Sequence, residues 1–221
     1  MQNIKAIIFD FDGVINNGVA VHYDFYRDLC KSHNIEPPFS TEEEFREWFD
    51  PLDYKTNYQN LGISLKDPRN IPYKEYIKQA GIPLIEGIKE AIEKLSKKYV
   101  LAIVSTNNKE IIEHQLGDYG ILKLFKVVMG HGDVFRIKPH PEALLKCLEK
   151  LKLSNKDVVY IGDMVTDVET SRNANTKIIS VTWGWSSKEE LKKAKPDWIV
   201  DNPKELHRIL EGSSATNLLD D

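Results

Sequence analysis

In "AIIFDFDGVI", Ala6 to Ile15, a run apolar enough to be buried ends in two aspartates separated by one phenylalanine. Alternation in an extended strand is expected to set Asp10 and Asp12 on one side and Phe11 on the other. A burial-driven strand ends in paired carboxylates when something there uses or neutralises their charge. Other groups along the chain could join them: Ser105 closing "YVLAIVS", Lys138 in "KPHP", and Asp163 and Asp167 in "GDMVTD". Two carboxylates ~4 Å apart at an effective dielectric of about 20 repel by about 4 kcal/mol, so four acids brought together need cations. One lysine is too few. A hard divalent ion held by carboxylate oxygens fits, and Mg²⁺ keeps waters and a phosphate in its shell beside its protein ligands. His22, His33, His114, His131, His140 and His207 show no zinc spacing.

Phosphate is the substrate group these parts suit. Ser105 with the amides of Thr106 and Asn107 is expected to form an anion cradle at the start of a helix near Asn107, and Lys138 to supply a point charge. A cation and the lysine would neutralise the transferring group, leaving a carboxylate to attack in line. Singly, each feature has a plainer reading: Asp163 or Ser105 as a helix cap, Lys138 as a solvated lysine after which proline opens a helix. The ordered combination is what carries information.

Elements that could position these residues alternate along the chain. Short apolar, β-branched runs occupy 4–9, 99–105, 125–130, 157–162 and 177–183, with a weaker one at 197–200. Their continuous apolarity predicts strands covered on both faces, as in a parallel sheet. Helix-period segments at 86–98, 109–120, 141–152 and 166–175 lie between the later runs. The pattern predicts a doubly wound α/β domain, in which ligands bind beyond the carboxyl ends of the strands. From about residue 16 to 82 the pattern is helical only, with stretches at 21–33 and 41–50, the latter opened by a capping signature at Ser40 or Thr41. The expected organisation is an α/β core of residues 1–15 and 83–211, a small helical domain of 16–82 inserted after the first strand, and a frayed tail of 212–221.

The composition fits this reading. The 221 residues are 41% hydrophobic and 29% charged, with a formal charge of −4. Long-range attraction to nucleic acid or an acidic membrane is not indicated. Cys30 and Cys147 form no CxxC pair, and no apolar run reaches the ~20 residues of a membrane span. A cytoplasmic protein, monomer or homodimer, acting on a small phosphorylated metabolite is expected.

"FDFDGVI", "VST", "KPHP" and "GDMVTD", in this order and spacing, resemble the four motifs of the haloacid dehalogenase-like superfamily. "GHGDVFRIKPHPE" and "SVTWGW" further resemble phosphoglycolate phosphatase-like members, and the insert resembles their helical cap. The resemblance implies an Mg²⁺-dependent phosphatase acting on phosphoglycolate or a sugar phosphate. It makes Asp10 the nucleophile that forms an aspartyl-phosphate, and Asp12 the group that protonates the leaving oxygen and then deprotonates water. It further implies that Ser105 binds the phosphate, that Lys138 stabilises both it and Asp10, and that Asp10, the Asp12 backbone carbonyl and Asp163 ligate the metal. Asp167 would act behind them, on a metal-bound water or on Lys138. One departure stands out: "DGVINNG" replaces the more usual "DGTLIDS", so Asn16 and Asn17 stand where the insert begins.

Other readings compete with this one. A β-phosphoglucomutase-like phosphomutase shares the core and differs in whether the aspartyl-phosphate is shielded from water. A dehalogenase does not need an acid at Asp12. A receiver-type signalling module combines similar groups, but is shorter and places its acids differently. A silent phosphate-binding protein is disfavoured because every catalytic position holds a competent residue.

Overall fold

The computed structural model describes residues 3–50 and 53–211. The expected tail of 212–221 lies outside the described residues. Six strands form one parallel sheet: β1 (Ala6–Phe9), β2 (Val100–Asn108), β3 (Phe125–His131), β4 (Val158–Gly162), β5 (Lys177–Val181) and β6 (Trp198–Val200), in the order β3-β2-β1-β4-β5-β6. Strand order reverses on either side of β1, which pairs with β2 (Phe9 opposite Ile103) and with β4 (Phe9 opposite Ile161).

Contacts divide the chain into two compact units, Met1–Asn16 with Leu84–Asp221, and Asn17–Pro83. The second contains helices α1 (Gly18–Ser32), α2 (Glu42–Trp48), α3 (Tyr54–Asn60) and α4 (Tyr73–Ala80). Its ends meet where Asn17 N–H donates to the Pro83 carbonyl at 2.7 Å. Helix α2 starts at a full capping box: Thr41 Oγ1 accepts from Glu44 N–H, and the Glu44 carboxylate accepts from Thr41 N–H. Aromatic side chains hold this unit together, with Phe45 stacked on Phe49 and edge-on contacts from Tyr26 to Trp48 and Phe25 to Tyr73. Tyr23 and Trp48 belong to that packing.

In the first unit the sheet is flanked by α5 (Ile88–Leu95), α6 (Lys109–Asp118), α7 (Glu142–Leu151), α8 (Val165–Asn173), α9 (Lys188–Ala194) and α10 (Pro203–Leu210). Ile7, Phe9, Leu101, Ile103, Val159 and Ile161 face one core with Ile88, Ile92, Ile112, Leu206 and Ile209. Ala6, Ile8, Ala102, Val104, Val158 and Tyr160 face the other, with Leu144, Cys147, Leu148 and Val168. Alternate residues of each strand thus serve opposite cores, which explains why the strands read as unbroken apolar runs. Cys30 and Cys147 are buried and free. Among the described residues no helix is long and apolar enough to cross a membrane.

Phe11 packs into the same core as Ile7 and Phe9, on the side that the alternation predicts for it, and its carbonyl accepts from Ile15 N–H at 2.9 Å in the turn that follows. One local expectation needs correction: the start of the helix expected near Asn107. β2 instead runs on to Asn108, past an irregularity in its pairing with β3, and α6 starts at Lys109 with the Asn108 side chain capping Glu110 N–H at 2.8 Å.

Candidate active site

Parallel pairing of β1 with β4 determines the first neighbours. Asp10 N–H extends the ladder by donating to Ile161 O at 2.8 Å, so Asp10 emerges beside the Gly162–Asp163 end of β4. Asp10 Oδ1 accepts from its neighbour's backbone, Phe11 N–H, at 2.7 Å, while its Oδ2 faces Lys138 Nζ at 2.7 Å. Lys138 arrives from the loop between β3 and α7. That loop is braced by the Glu142 carboxylate, which accepts from the backbone N–H groups of Phe135 and Arg136 at 3.1 and 3.2 Å.

Asp167 enters from the first turn of α8. Its Oδ2 accepts from the N–H groups of Asp163 and Met164 at 3.1 and 2.9 Å, and its Oδ1 from Lys138 Nζ at 2.8 Å and Tyr160 OH at 3.1 Å. The Tyr160 ring centroid also lies 5.4 Å from Lys138 Nζ. Four donors saturate Asp167, so it holds Lys138 and the β4–α8 turn in place. Asp163 is different. Its Oδ2 accepts from Trp185 N–H at 2.7 Å, but its buried Oδ1 has no hydrogen-bond partner among the described residues. Glycines make room for this carboxylate: a Cβ at Gly184, or at Gly13 with its φ of +77°, would collide with Asp163 Oδ2.

Oxygens of Asp10, Asp163 and Asp167 all lie within 4.8 Å of one another, and all three residues are buried. Burial, reinforced by the charge of Asp167, pushes the Asp10 carboxyl up to about 7 against the pull of Lys138. Burial also raises Asp163 well above the carboxylate range, with Asp167 and Asp10 adding to it. Burial alone would pull Lys138 down, but the carboxylates of Asp10 and Asp167 outweigh it and raise it overall. Three buried acids therefore share one ammonium. The unpartnered Asp163 oxygen and an all-oxygen donor set suit a hard divalent cation, with Asp10 and Asp163 as the carboxylates that have capacity to hold it.

Ser105, Thr106 and Asn107 follow the β2 segment that pairs with β1. Ser105 is buried and its Oγ accepts from Asn107 N–H at 3.1 Å; Thr106 is exposed. The Ser105 contact engages the Asn107 N–H expected to face an anion, and helix α6 begins two residues later than expected, at Lys109. The Asn107 side chain instead donates to Asp12 Oδ1 and Oδ2 at 3.2 and 3.0 Å. Asp12 also accepts from Asn16 Nδ2 at 2.9 Å. Sequence reasoning singled out Asn16 only as a departure from a motif, and it missed Tyr160 and the Trp185 backbone amide. A tyrosine within an apolar strand was the one available signal for Tyr160.

Comparison with known proteins agrees with this architecture. Residues 7–181 match the family model described as haloacid dehalogenase-like hydrolase. Two proteins named pyrophosphatase PpaX are similar over nearly their whole length. The Bacillus mycoides one is 27% identical, covering 95% of this chain and 98% of its own, and the Listeria welshimeri one is 28% identical, covering 94% and 96%. A crystal structure titled as a predicted phosphoglycolate phosphatase from Haemophilus somnus superposes with a TM-score of 0.76 at 23% identity, covering 95% of this chain and 99% of that one, a likeness of fold. Since the matched span runs from β1 through β5 and contains every acid of the cluster together with Lys138, this chain belongs to the haloacid dehalogenase-like hydrolase family.

Proposed function

We propose that the chain is an Mg²⁺-dependent phosphatase that hydrolyses a small phosphorylated metabolite through an aspartyl-phosphate on Asp10. The observation that carries this reading is the Lys138 ammonium between Asp10 and Asp167, next to an Asp163 oxygen with no partner. Phosphoglycolate and sugar phosphates remain first candidates, and the relatives' name adds inorganic pyrophosphate.

Asp10 attacks phosphorus, forming an O–P bond as the bond to the leaving oxygen breaks. The leaving oxygen takes a proton from Asp12; in the second half-reaction water attacks, gives its proton to Asp12, and the Asp10–phosphorus bond breaks. Lys138 holds Asp10 in line and balances charge on the phosphoryl oxygens. Ser105 Oγ, just beyond the part of β2 that pairs with β1, is the hydroxyl assigned to the phosphate. Asp10 and Asp163, with the Asp12 carbonyl, would hold Mg²⁺, which when bound would supply positive charge to offset the transferring phosphoryl group. Phosphate release from p-nitrophenyl phosphate, phosphoglycolate, sugar phosphates and pyrophosphate, with Mg²⁺ or with chelator, tests the reading. Metal-dependent release supports it; none from any ester or pyrophosphate by folded protein contradicts it.

A further inference from the structure

We propose that Asn16, together with Asn107, is a positioning residue for Asp12, aiming its carboxylate at the leaving oxygen. The inference rests on the phosphatase reading above and adds residues that the motifs do not assign. Asn16 is fully buried. Its Oδ1 accepts from Gly13 N–H at 3.3 Å, and because a backbone N–H can only donate, the amide nitrogen must point the other way. That nitrogen has two hydrogens, and both are used: one toward Asp12 Oδ1 at 2.9 Å, the other toward Gln115 Oε1 at 3.3 Å. Gln115 Oε1 also accepts from Tyr119 OH at 3.4 Å, which keeps the oxygen of that carboxamide turned to Asn16.

Asn107 is oriented by the same logic from the opposite direction. Its Oδ1 accepts from Asn108 N–H at 2.7 Å, so its Nδ2 is left to face both Asp12 oxygens. Two carboxamides, each locked by a backbone N–H, thus meet on one carboxylate. Asp10 is held by a lysine, whereas the side-chain donors to Asp12 among the described residues are the neutral carboxamides of Asn16 and Asn107. Such an arrangement restricts rotation of the carboxylate without adding net charge beside the proton it must deliver. A misplacement of about 1 Å in a proton donor is enough to cost two orders of magnitude.

A purely structural role, locking the turn after β1, is the competing explanation, and leaving-group dependence separates the two. Expulsion of an alkoxide needs the proton from Asp12, whereas p-nitrophenolate leaves with little help. kcat/KM reports only the steps through phosphoryl transfer to Asp10, so slow hydrolysis of the aspartyl-phosphate does not blur the comparison. The experiment measures kcat/KM with Mg²⁺ for p-nitrophenyl phosphate and for the fastest alkyl phosphate of the panel, in wild type, Asp12→Ala, Asn16→Leu and Asn107→Ala. Asn107 is only half-buried, so its variant keeps the test open if Asn16→Leu does not fold. The expected result is a loss about ten-fold or more greater for the alkyl ester than for the aryl ester in both asparagine variants, in the direction set by Asp12→Ala. Equal losses on both esters, or none, overturn the inference while leaving the phosphatase reading intact. A wild type inactive on both esters overturns the inference, and one inactive on pyrophosphate as well overturns the phosphatase reading with it.

Discussion

Lys138 Nζ stands 2.7 Å from Asp10 Oδ2 and 2.8 Å from Asp167 Oδ1, with both partners buried, so one ammonium serves an acid that follows strand β1 and another in the first turn of helix α8. Replacing it by methionine keeps the length of the side chain and removes the charge. Lys138→Met is expected to lower kcat/KM by about 10²–10³-fold. Without divalent cation it should also destabilise the protein by roughly 3 kcal/mol, because the acids lose their partner. Kinetics and thermal unfolding of the variant check both effects.

The same cluster predicts a pH dependence for the cation-free protein. Asp10 rises from an ordinary 3.8 to about 7, so between those values the folded chain holds a proton that the unfolded chain has lost. The contribution of Asp10 to stability is therefore fully present below pH ~4 and is lost as pH rises through about 7. A divalent cation must displace that proton to bind. Added Mg²⁺ should raise the melting temperature more at pH 8 than at pH 5, which calorimetry in paired buffers would test.

Gly184 has a single spatial reason to be glycine. A Cβ there would collide with Asp163 Oδ2, the oxygen that accepts from Trp185 N–H. Gly184→Ala is expected to cost about 1–3 kcal/mol of stability through forced movement of the carboxylate. The Mg²⁺ concentration needed for half-maximal activity should rise. A metal titration that matches wild type would show that Asp163 does not depend on this space.

Tyr160→Phe removes only a hydroxyl, which reaches Asp167 Oδ1 and the Val104 carbonyl at 3.1 and 3.2 Å. The ring over Lys138 is retained. A loss of about 1 kcal/mol in unfolding free energy is expected, with kcat lowered and KM little changed, since Asp167 then holds the lysine less firmly. Denaturant unfolding alongside steady-state kinetics measures the pair of effects.

Much of this arrangement was legible in the sequence because it follows from a repeating rule. Unbroken apolar runs announced strands buried on both faces, and acids placed after such runs had to meet if those strands were parallel neighbours. Asp10 and Asp163 illustrate it: they sit at the ends of β1 and β4, which pair directly. Details set by tertiary contacts were not readable. Nothing local in "VSTNN" says that the chain stays extended to Asn108 instead of turning helical, since Asn, Ser and Thr suit both a cap and an irregular strand end. The partner of Asn16 was equally hidden, because Gln115 approaches only once α6 has packed beside the sheet. Helices α3, α4, α9 and α10, each seven or eight residues long, fall below the length at which apolar periodicity is distinctive.

The most direct test of the account is to locate the phosphoryl group during turnover. The enzyme with Mg²⁺ would be mixed with its best substrate, quenched in acid and digested, and the peptide containing Asp10 examined by mass spectrometry, in wild type and in Asp12→Asn, where hydrolysis of the adduct should be slow. The account predicts a phosphoryl adduct on Asp10 that accumulates in Asp12→Asn and is absent from Asp10→Asn. Phosphate release that persists in Asp10→Asn, or an adduct on any other residue, would contradict it.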